Sequence, residues 1–381
     1  MRLGAEFSAL IDRFNADFQR PIAVAVSGGS DSLALLHLCH AWAQEKNRRL
    51  IALTVDHGLR LSARDEADRV SKLCAALQIS HQCVRWDAPK PSQNAARHAR
   101  YQLLAKAMTE VGASCLVTGH TLDDVVETVF MRRQRGVRGG MTAGPVLATP
   151  YPIWPDGYNL TVLRPLIGVR RGALRSYLRA RRVTWMDDPS NENAKFERAR
   201  VRAFFARHPK LHERIIPSVK ALQDARVELD AALAADLQHV KIDSDGLIAV
   251  PHTSDPFRLL GLLSRFAGGG DRDPRRSAIA GMVSALSEPG ARQTLGGAWF
   301  QHTRSGFLIG RDPATVETDK QSAIFDGRFK RDPAAQLPAA ADASFLVRHA
   351  LPSGPHWREL ITDRIAQMRL CLSTSQLAID V

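Results

Sequence analysis

Short apolar runs rich in β-branched residues alternate, along the first half of the chain, with longer stretches whose apolar positions recur every three or four residues. Residues 22–26, 50–56, 81–86 and 113–118 read as strands. Residues 33–38, 62–77 and 94–108 read as the helices between them, the second with Ala63, Ala67, Val70, Leu73, Cys74 and Leu77 on one face. Strand, crossover helix and strand in this order predict an α/β fold built on a parallel doubly wound sheet. Eight glycines and prolines in 136–156 predict a long loop, 170–182 resumes a helical period, and 183–185 fits a last strand before a turn at 187–191.

Beyond this point the pattern changes. Pro217 suits a helix start, with Val219, Leu222, Val227, Leu229, Leu233 and Leu237 following at helical spacing. A domain boundary is therefore expected near Ile216. Residues 255–266 and 277–286 read as helices, Gly268 to Gly270 as a break, and 295–309 alternates as a hairpin does. From Asp312 onward no period is evident. The expected organisation is a first domain at 1–215, a smaller and mostly helical α+β domain at 216–311, and a C-terminal segment at 312–381.

Composition adds a partner class. The chain has 381 residues, with 52 Lys and Arg against 39 Asp and Glu, a net charge of +13. The excess is concentrated, since residues 164–220 hold 15 basic and 5 acidic side chains. Such a bias favours a polyanion, and nucleic acid is the natural one. The cysteines Cys39, Cys74, Cys83, Cys115 and Cys371 form no C-x-x-C pair, so buried free thiols are expected. No apolar run is long enough to span a bilayer and no signal core is seen, which predicts a cytoplasmic protein with no membrane association.

The first chemistry lies at 27–32, Ser-Gly-Gly-Ser-Asp-Ser, directly after the first strand and before its helix. Gly28 and Gly29 let the backbone approach an oxyanion, and helix-start N–H groups converge on it. Ser27, Ser30 and Ser32 can donate to phosphate oxygens, while Asp31 suits the helix dipole and can hold Mg²⁺. No lysine follows the glycines, so this is not a Walker A loop. A plain strand-to-helix turn with a polar cap would use the same residue types. The second constellation is Gly119-His120-Thr121-Leu122-Asp123-Asp124-Val125-Val126-Glu127-Thr128, where the fourth strand gives way to a helix. Asp124 and Glu127, three apart, share a helix face. They can bind Mg²⁺, orient an ammonium, accept a proton from an amine, or simply serve as helix-start acids. Both constellations, together with 56–58, fall at the carboxyl ends of strands, where such sheets bind ligands.

In order, S-G-G-S-D-S, V-D-H-G-L-R at 55–60, A-A-R-H-A-R-Y at 95–101, G-H-T-L-D-D-V-V-E-T, R-P-L at 164–166 and D-D-P-S-N at 187–191 resemble the tRNA(Ile)-lysidine synthases. The resemblance runs to about Phe205 and continues more faintly to Arg311, through T-L-G-G at 294–297. It implies an adenine nucleotide alpha-hydrolase-like fold with a PP-loop ATP pyrophosphatase domain. It also implies a ligase that uses ATP and Mg²⁺ to adenylate the C2 carbonyl oxygen of the wobble cytidine in the CAU anticodon of tRNA(Ile). Pyrophosphate leaves, and L-lysine then displaces AMP. Carried over by position, Ser27, Gly28, Gly29, Ser30, Asp31, Ser32, Asp56 and His57 would bind ATP, with Asp31 also near Mg²⁺. Asp124 and Glu127 would bind lysine and act with Asp31 in catalysis. Arg97, Arg100, Arg198 and Arg202 would contact tRNA or phosphate. A homodimer is one option for its assembly. The chain departs from the family pattern at Thr121, where a histidine is usual, at Val125-Val126 in place of Gln-Ala, in the loop 135–141, and at Ala199 in place of asparagine. Two other readings use the same features. One is a tRNA-thiolating enzyme of the same superfamily, which would call for paired cysteines; the other is a noncatalytic RNA-binding protein on an ATP fold.

Overall fold

The computed structural model describes residues 2–14, 20–56, 58, 62–87, 93–137, 142–186, 195–243, 247–253, 255–270, 273–315, 324–325, 329–331 and 357–374. It divides into two compact units: residues 1–151, 160–231 and 371–381 form the first, and 152–159 with 232–370 form the second. The boundary expected near Ile216 lies inside the helix Pro209–Asp236, which also carries Pro217 in its interior. That helix begins eight residues before Pro217 because Pro209 supplies the start for which Pro217 is equally suited.

The first unit is a six-stranded sheet in the order β3-β2-β1-β4-β6-β5. Its strands are β1 (Ile22–Ala25), β2 (Leu50–Asp56), β3 (Ser80–Arg85), β4 (Cys115–Val117), β5 (Ala148–Pro150) and β6 (Thr161–Leu163). All pairs are parallel except β5 with β6. The long loop expected over 136–156 thus contains an edge strand. Thr149 pairs with Val162 and Arg164 N–H bonds the Leu147 carbonyl at 2.8 Å, interactions that a Gly- and Pro-rich composition conceals. No strand forms at 183–185. Val183 N–H closes the preceding helix on the Leu178 carbonyl at 3.0 Å, and Met186 N–H bonds the Gly28 carbonyl at 3.1 Å. The expected turn at 187–191 lies outside the described residues.

The helices of this unit are α1 (Arg2–Phe14), α2 (Ser30–Glu45), α3 (Ser62–Ala76), α4 (Gln93–Glu110), α5 (Leu122–Gln134), α6 (Arg171–Ala180), α7 (Glu197–Arg207) and most of α8 (Pro209–Asp236). The core lies between β1 and α2, α1 and α6: Leu33, Leu35, Leu36, Leu38 and Trp42 of α2 meet Phe7 and Ile11 of α1 and Leu174 and Leu178 of α6. Each such side chain contributes roughly 1.5–3 kcal/mol by leaving water. This packing matters for the candidate site, because α2 carries the turn 27–32 at its start and α6 is fixed beside it. The order reverses at β1, with β2 on one side and β4 on the other, so the crevice at a topological switch point opens between the turns after β1 and β4.

The second unit holds α9 (Pro256–Ala267), α10 (Arg276–Ala285) and an antiparallel sheet β7-β8-β11-β10-β9. Its strands are β7 (Lys241–Ile242), β8 (Ile248–Pro251), β9 (Arg292–Leu295), β10 (Ala298–Thr303) and β11 (Gly306–Arg311). The expected hairpin is the centre of this sheet, with Phe300 and Ile309 paired and buried. The tail, unassigned by pattern, contains β12 (Ile324–Phe325), β13 (Phe329–Arg331), β14 (Trp357–Glu359) and α11 (Ile361–Thr374).

Candidate active site

The turn after β1 is organised by its own hydroxyls. Ser27 N–H donates to Ser32 Oγ at 3.1 Å, Ser32 Oγ donates to the Gly29 carbonyl at 3.0 Å, and Leu33 N–H reaches the same carbonyl at 3.0 Å. Gly28 sits at φ +79°, a left-handed conformation that glycine adopts without strain. Gly29 is the N-cap of α2, with no side chain satisfying the first turn. The helix-start N–H groups of 30–32 that lack an intrahelical acceptor therefore face the crevice. Gly119, at the end of β4, lies against this loop: a Cβ there would stand 3.1 Å from the Asp31 carbonyl carbon and oxygen and 3.2 Å from Ser32 N. The two strand-end turns are thus packed backbone to backbone.

The turn after β4 starts α5 with Thr121 as its N-cap. Thr121 Oγ1 accepts from Asp124 N–H at 3.4 Å and donates to Asp124 Oδ2 at 2.7 Å, while Thr121 N–H also donates to Oδ2 at 2.9 Å. This reciprocal capping explains why a threonine is accommodated at a position where a histidine was expected. It also aims Asp124 Oδ1 away from the cap and into the crevice. Val125 and Val126 are fully buried with Val129, Ile167, Val201, Phe205 and Val219, and Phe130 stacks on Phe204. These apolar contacts lock α7 onto α5 and so fix where the arginines of α7 point. Ala199 is buried in the same helix.

Three arginines then meet two buried carboxylates. Arg202 Nε lies 2.8 Å from Glu127 Oε1, and its Nη2 lies 3.0 Å from Asp124 Oδ1. Arg198 Nε stands 3.6 Å from Glu127 Oε2 and its Nη2 donates to Thr128 Oγ1 at 3.0 Å. Arg171, in the first turn of α6, uses each guanidinium nitrogen on a different acid: Nε to Asp31 Oδ2 at 2.8 Å, Nη2 to Asp124 Oδ1 at 3.2 Å and Nη1 to Glu127 Oε1 at 3.4 Å. Arg175, one turn on, reaches Ser30 Oγ at 3.4 Å. Asp123 caps α6 from outside, accepting Arg171 N–H at 2.8 Å.

The two acids titrate apart. Burial pushes Asp124 up, but Arg171, Arg202 and the Thr121 N–H overrule it and hold the carboxyl at about 2. Burial dominates at Glu127 and raises it above the ordinary glutamate range despite Arg202. Its Oε2 is buried and accepts no hydrogen bond. His120 is pushed down to about 4 by burial and by Arg164, so its ring is neutral at pH 7, with Nδ1 on Thr118 Oγ1 at 2.9 Å.

Asp31, Asp124, Glu127, Arg198 and Arg202 thus converge. Other expected site residues do not join them directly. Asp56, at the end of β2, spends Oδ1 on Gly58 N–H at 2.8 Å, and His57 lies outside the described residues. Arg97 is exposed over the Tyr101 ring at 5.0 Å, near enough to help depress His120, and Arg100 beside it is exposed on α4. Arg171, Arg175 and Thr121 were not among the expected site residues. Arg171 carries a signal, since a cation in a helix's first turn opposes the dipole unless something compensates it. All five cysteines are free; Cys39, Cys74 and Cys371 are buried as expected, whereas Cys83 is exposed on the edge strand β3 and Cys115 is half-buried at the start of β4. No helix among the described residues is long and apolar enough to cross a membrane.

Comparison with known proteins gives the relatives of this chain. A family model described as PP-loop domain matches residues 4–208. A tRNA(Ile)-lysidine synthase of Hyphomonas neptunium is 38% identical over 312 residues, covering 80% of this chain and 84% of that protein. One from Rhizobium meliloti is 37% identical over 368 residues, covering 88% and 79%. Among solved structures, the U34-tRNA thiolase NcsA from Methanococcus maripaludis is 18% identical with a TM-score of 0.45, covering 58% of this chain and 79% of that one.

Proposed function

The chain belongs to the tRNA(Ile)-lysidine synthases, and from that membership we propose how its residues divide the work. The enzyme is an ATP-dependent ligase that joins lysine to C2 of the wobble cytidine of tRNA(Ile), by way of an adenylated tRNA. In this division the turn 27–32 grips the ATP phosphates, with the helix-start N–H groups and the hydroxyls of Ser27 and Ser30 as donors and Ser32 holding the turn's shape. Arg175, on Ser30, lies where it would add charge-assisted bonds to the same phosphates. Mg²⁺ suits this donor set only as an ion shared with the phosphates, because no group of three His, Cys, Asp or Glu gathers among the described residues. Asp31 would hold it, and it would neutralise phosphate charge there.

The incoming lysine is assigned to Asp124 and Glu127. One observation carries this: Glu127 Oε2 is buried and accepts no hydrogen bond, Arg198 Nε stopping short at 3.6 Å, and a buried acceptor left without a hydrogen bond costs about 1–3 kcal/mol unless a ligand supplies one. An ε-ammonium brings three N–H donors. Asp124, ionised throughout the physiological range, anchors the cation. Glu127, whose proton affinity is raised, takes a proton from the ε-ammonium and so frees the lone pair that attacks C2; the C2–O bond to AMP breaks, AMP leaves with that electron pair, and the nitrogen's second proton passes to the departing phosphate or to water. The substrate feature this chemistry requires is a cytidine, which in the proposal is the wobble base of the CAU anticodon; the cytoplasm is the compartment, and a homodimer is compatible with it.

The test separates the two half-reactions. With tRNA(Ile), ATP and Mg²⁺ but no lysine, pyrophosphate is expected to appear in roughly stoichiometric amount, and AMP only after lysine is added. Pyrophosphate that forms only together with lysine transfer would contradict the adenylate route, and none at all would point to a noncatalytic RNA-binding protein.

A further inference from the structure

We propose that Arg171 is an internal occupant of the lysine site, holding Asp124 and Glu127 until the triphosphate of ATP draws its guanidinium away, so that lysine binds only after the nucleotide. The inference rests on the assignment of the acid pair to lysine. Its basis is the way one guanidinium is shared. Arg171 touches three carboxylates through three different nitrogens, at 2.8, 3.2 and 3.4 Å, and forms a two-pronged fork with none of them. A permanent counter-ion gains most from a bidentate fork on one carboxylate. Arg171 is instead stretched between the phosphate loop, through Asp31, and the acid pair, so it responds to charge at either end.

The position of Arg171 in the fold makes this responsive. Leu174 and Leu178 anchor α6 in the core, and Asp123 holds the Arg171 backbone N–H at 2.8 Å. The backbone is therefore fixed while the side chain, about one-fifth exposed, can change rotamer. ATP in the loop sets several negative oxygens beside Asp31, and a guanidinium prefers phosphate oxygens in a dry site. Once Arg171 leaves, Asp124 keeps Arg202 and Thr121, and Glu127 keeps Arg202 on Oε1. The vacated position, beside Asp124 Oδ1 and Glu127 Oε1, then has the charge and the acceptors for an ammonium. Before that, an ammonium would sit directly against Arg171 and be repelled. The order serves the chemistry, because lysine is then admitted only to a site already loaded with the nucleotide that activates the base.

The experiment is equilibrium binding of labelled L-lysine to the full-length protein, with and without Mg²⁺ and the non-cleavable α,β-methylene analogue of ATP. Lysine is expected to bind at least about tenfold tighter with the analogue, within the usual range of coupling between two sites, and by linkage lysine should tighten the analogue equally. Arg171→Gln should raise nucleotide-free lysine affinity to near the nucleotide-bound wild-type level and remove most of the dependence. If that variant does not fold, Arg171→Lys, whose single ammonium cannot span three acids, should show a reduced dependence. Equal lysine affinity in both wild-type states, or unchanged coupling in a folded Arg171 variant, would overturn the proposal. Glu127→Gln separates this from the underlying reading. If it abolishes lysine binding while the wild type shows no nucleotide dependence, the lysine site stands and the role of Arg171 falls. If lysine binds equally well to Glu127→Gln and wild type, the acid-pair assignment fails.

Discussion

Glu127→Gln is expected to lower lysine transfer by about 10³-fold, the middle of the range for removing a general base, while pyrophosphate release in the first half-reaction continues. The amide has the size of the carboxylate and keeps an acceptor for Arg202 Nε, now 2.8 Å from Oε1. What it loses is the negative charge for the ammonium and the acceptor for its proton. Folding should not suffer. Because burial raises the Glu127 pKa above its unfolded value, the ionised side chain costs stability above that folded pKa, a cost relieved as pH falls through it. Glutamine removes the cost at every pH, so denaturant unfolding at pH 7 should show the variant at least as stable as wild type. A destabilised variant, or one whose pyrophosphate release falls together with lysine transfer, would mean that Glu127 supports the whole site rather than the second step.

Charge reversal at Lys210 and Arg214 should act on the other substrate. The basic segment 164–220 reads in sequence as one footprint for a polyanion, yet the structure splits it. Arg164, Arg170, Arg171, Arg175, Arg198 and Arg202 are turned inward, several of them onto acids of the site. Arg179, Arg181, Arg182, Lys195, Arg200, Arg207, Lys210, Arg214 and Lys220 are exposed. Only the exposed set can meet tRNA phosphates without dismantling the site. The double variant Lys210→Glu, Arg214→Glu is therefore expected to weaken tRNA binding by about 10- to 100-fold at low salt. It should lower the slope of log affinity against log salt by roughly 0.7–0.9 for each phosphate that is no longer neutralised. Its turnover at saturating tRNA should stay within about twofold of wild type, as expected for side chains that position the tRNA and do not touch the reacting atoms. Filter binding across a salt series checks this, and an unchanged slope would move the footprint elsewhere.

Much of the fold was legible because local rules and tertiary packing agree. Residues 50–56 read as a strand and form one, and Ser27 to Ser32 read as a tight turn between strand and helix and fold as one around Gly28 at positive φ. Reading failed where pairing is long-range. β5 lies in a Gly- and Pro-rich stretch and exists because β6 offers it an edge, which no local period reveals. In the same way 183–185 has strand-like residues but is used to close α6 and to reach Gly28. In the site, Asp124 and Glu127 declared themselves by spacing. Arg171 did not, because its meaning depends on acids 140, 47 and 44 residues away along the chain. Thr121 looked like a lost histidine and is the cap that orients Asp124. Basic density, finally, says how much charge a segment carries and not which arginines are already paired.

The most direct test is incorporation of labelled L-lysine into a tRNA(Ile) transcript bearing the CAU anticodon, with ATP and Mg²⁺, followed by digestion to nucleosides. The expected result is one lysine per tRNA, recovered on the wobble cytidine and accompanied by one AMP and one pyrophosphate. Absence of label from that nucleoside, while a known lysidine synthase labels the same transcript in parallel, would contradict the account.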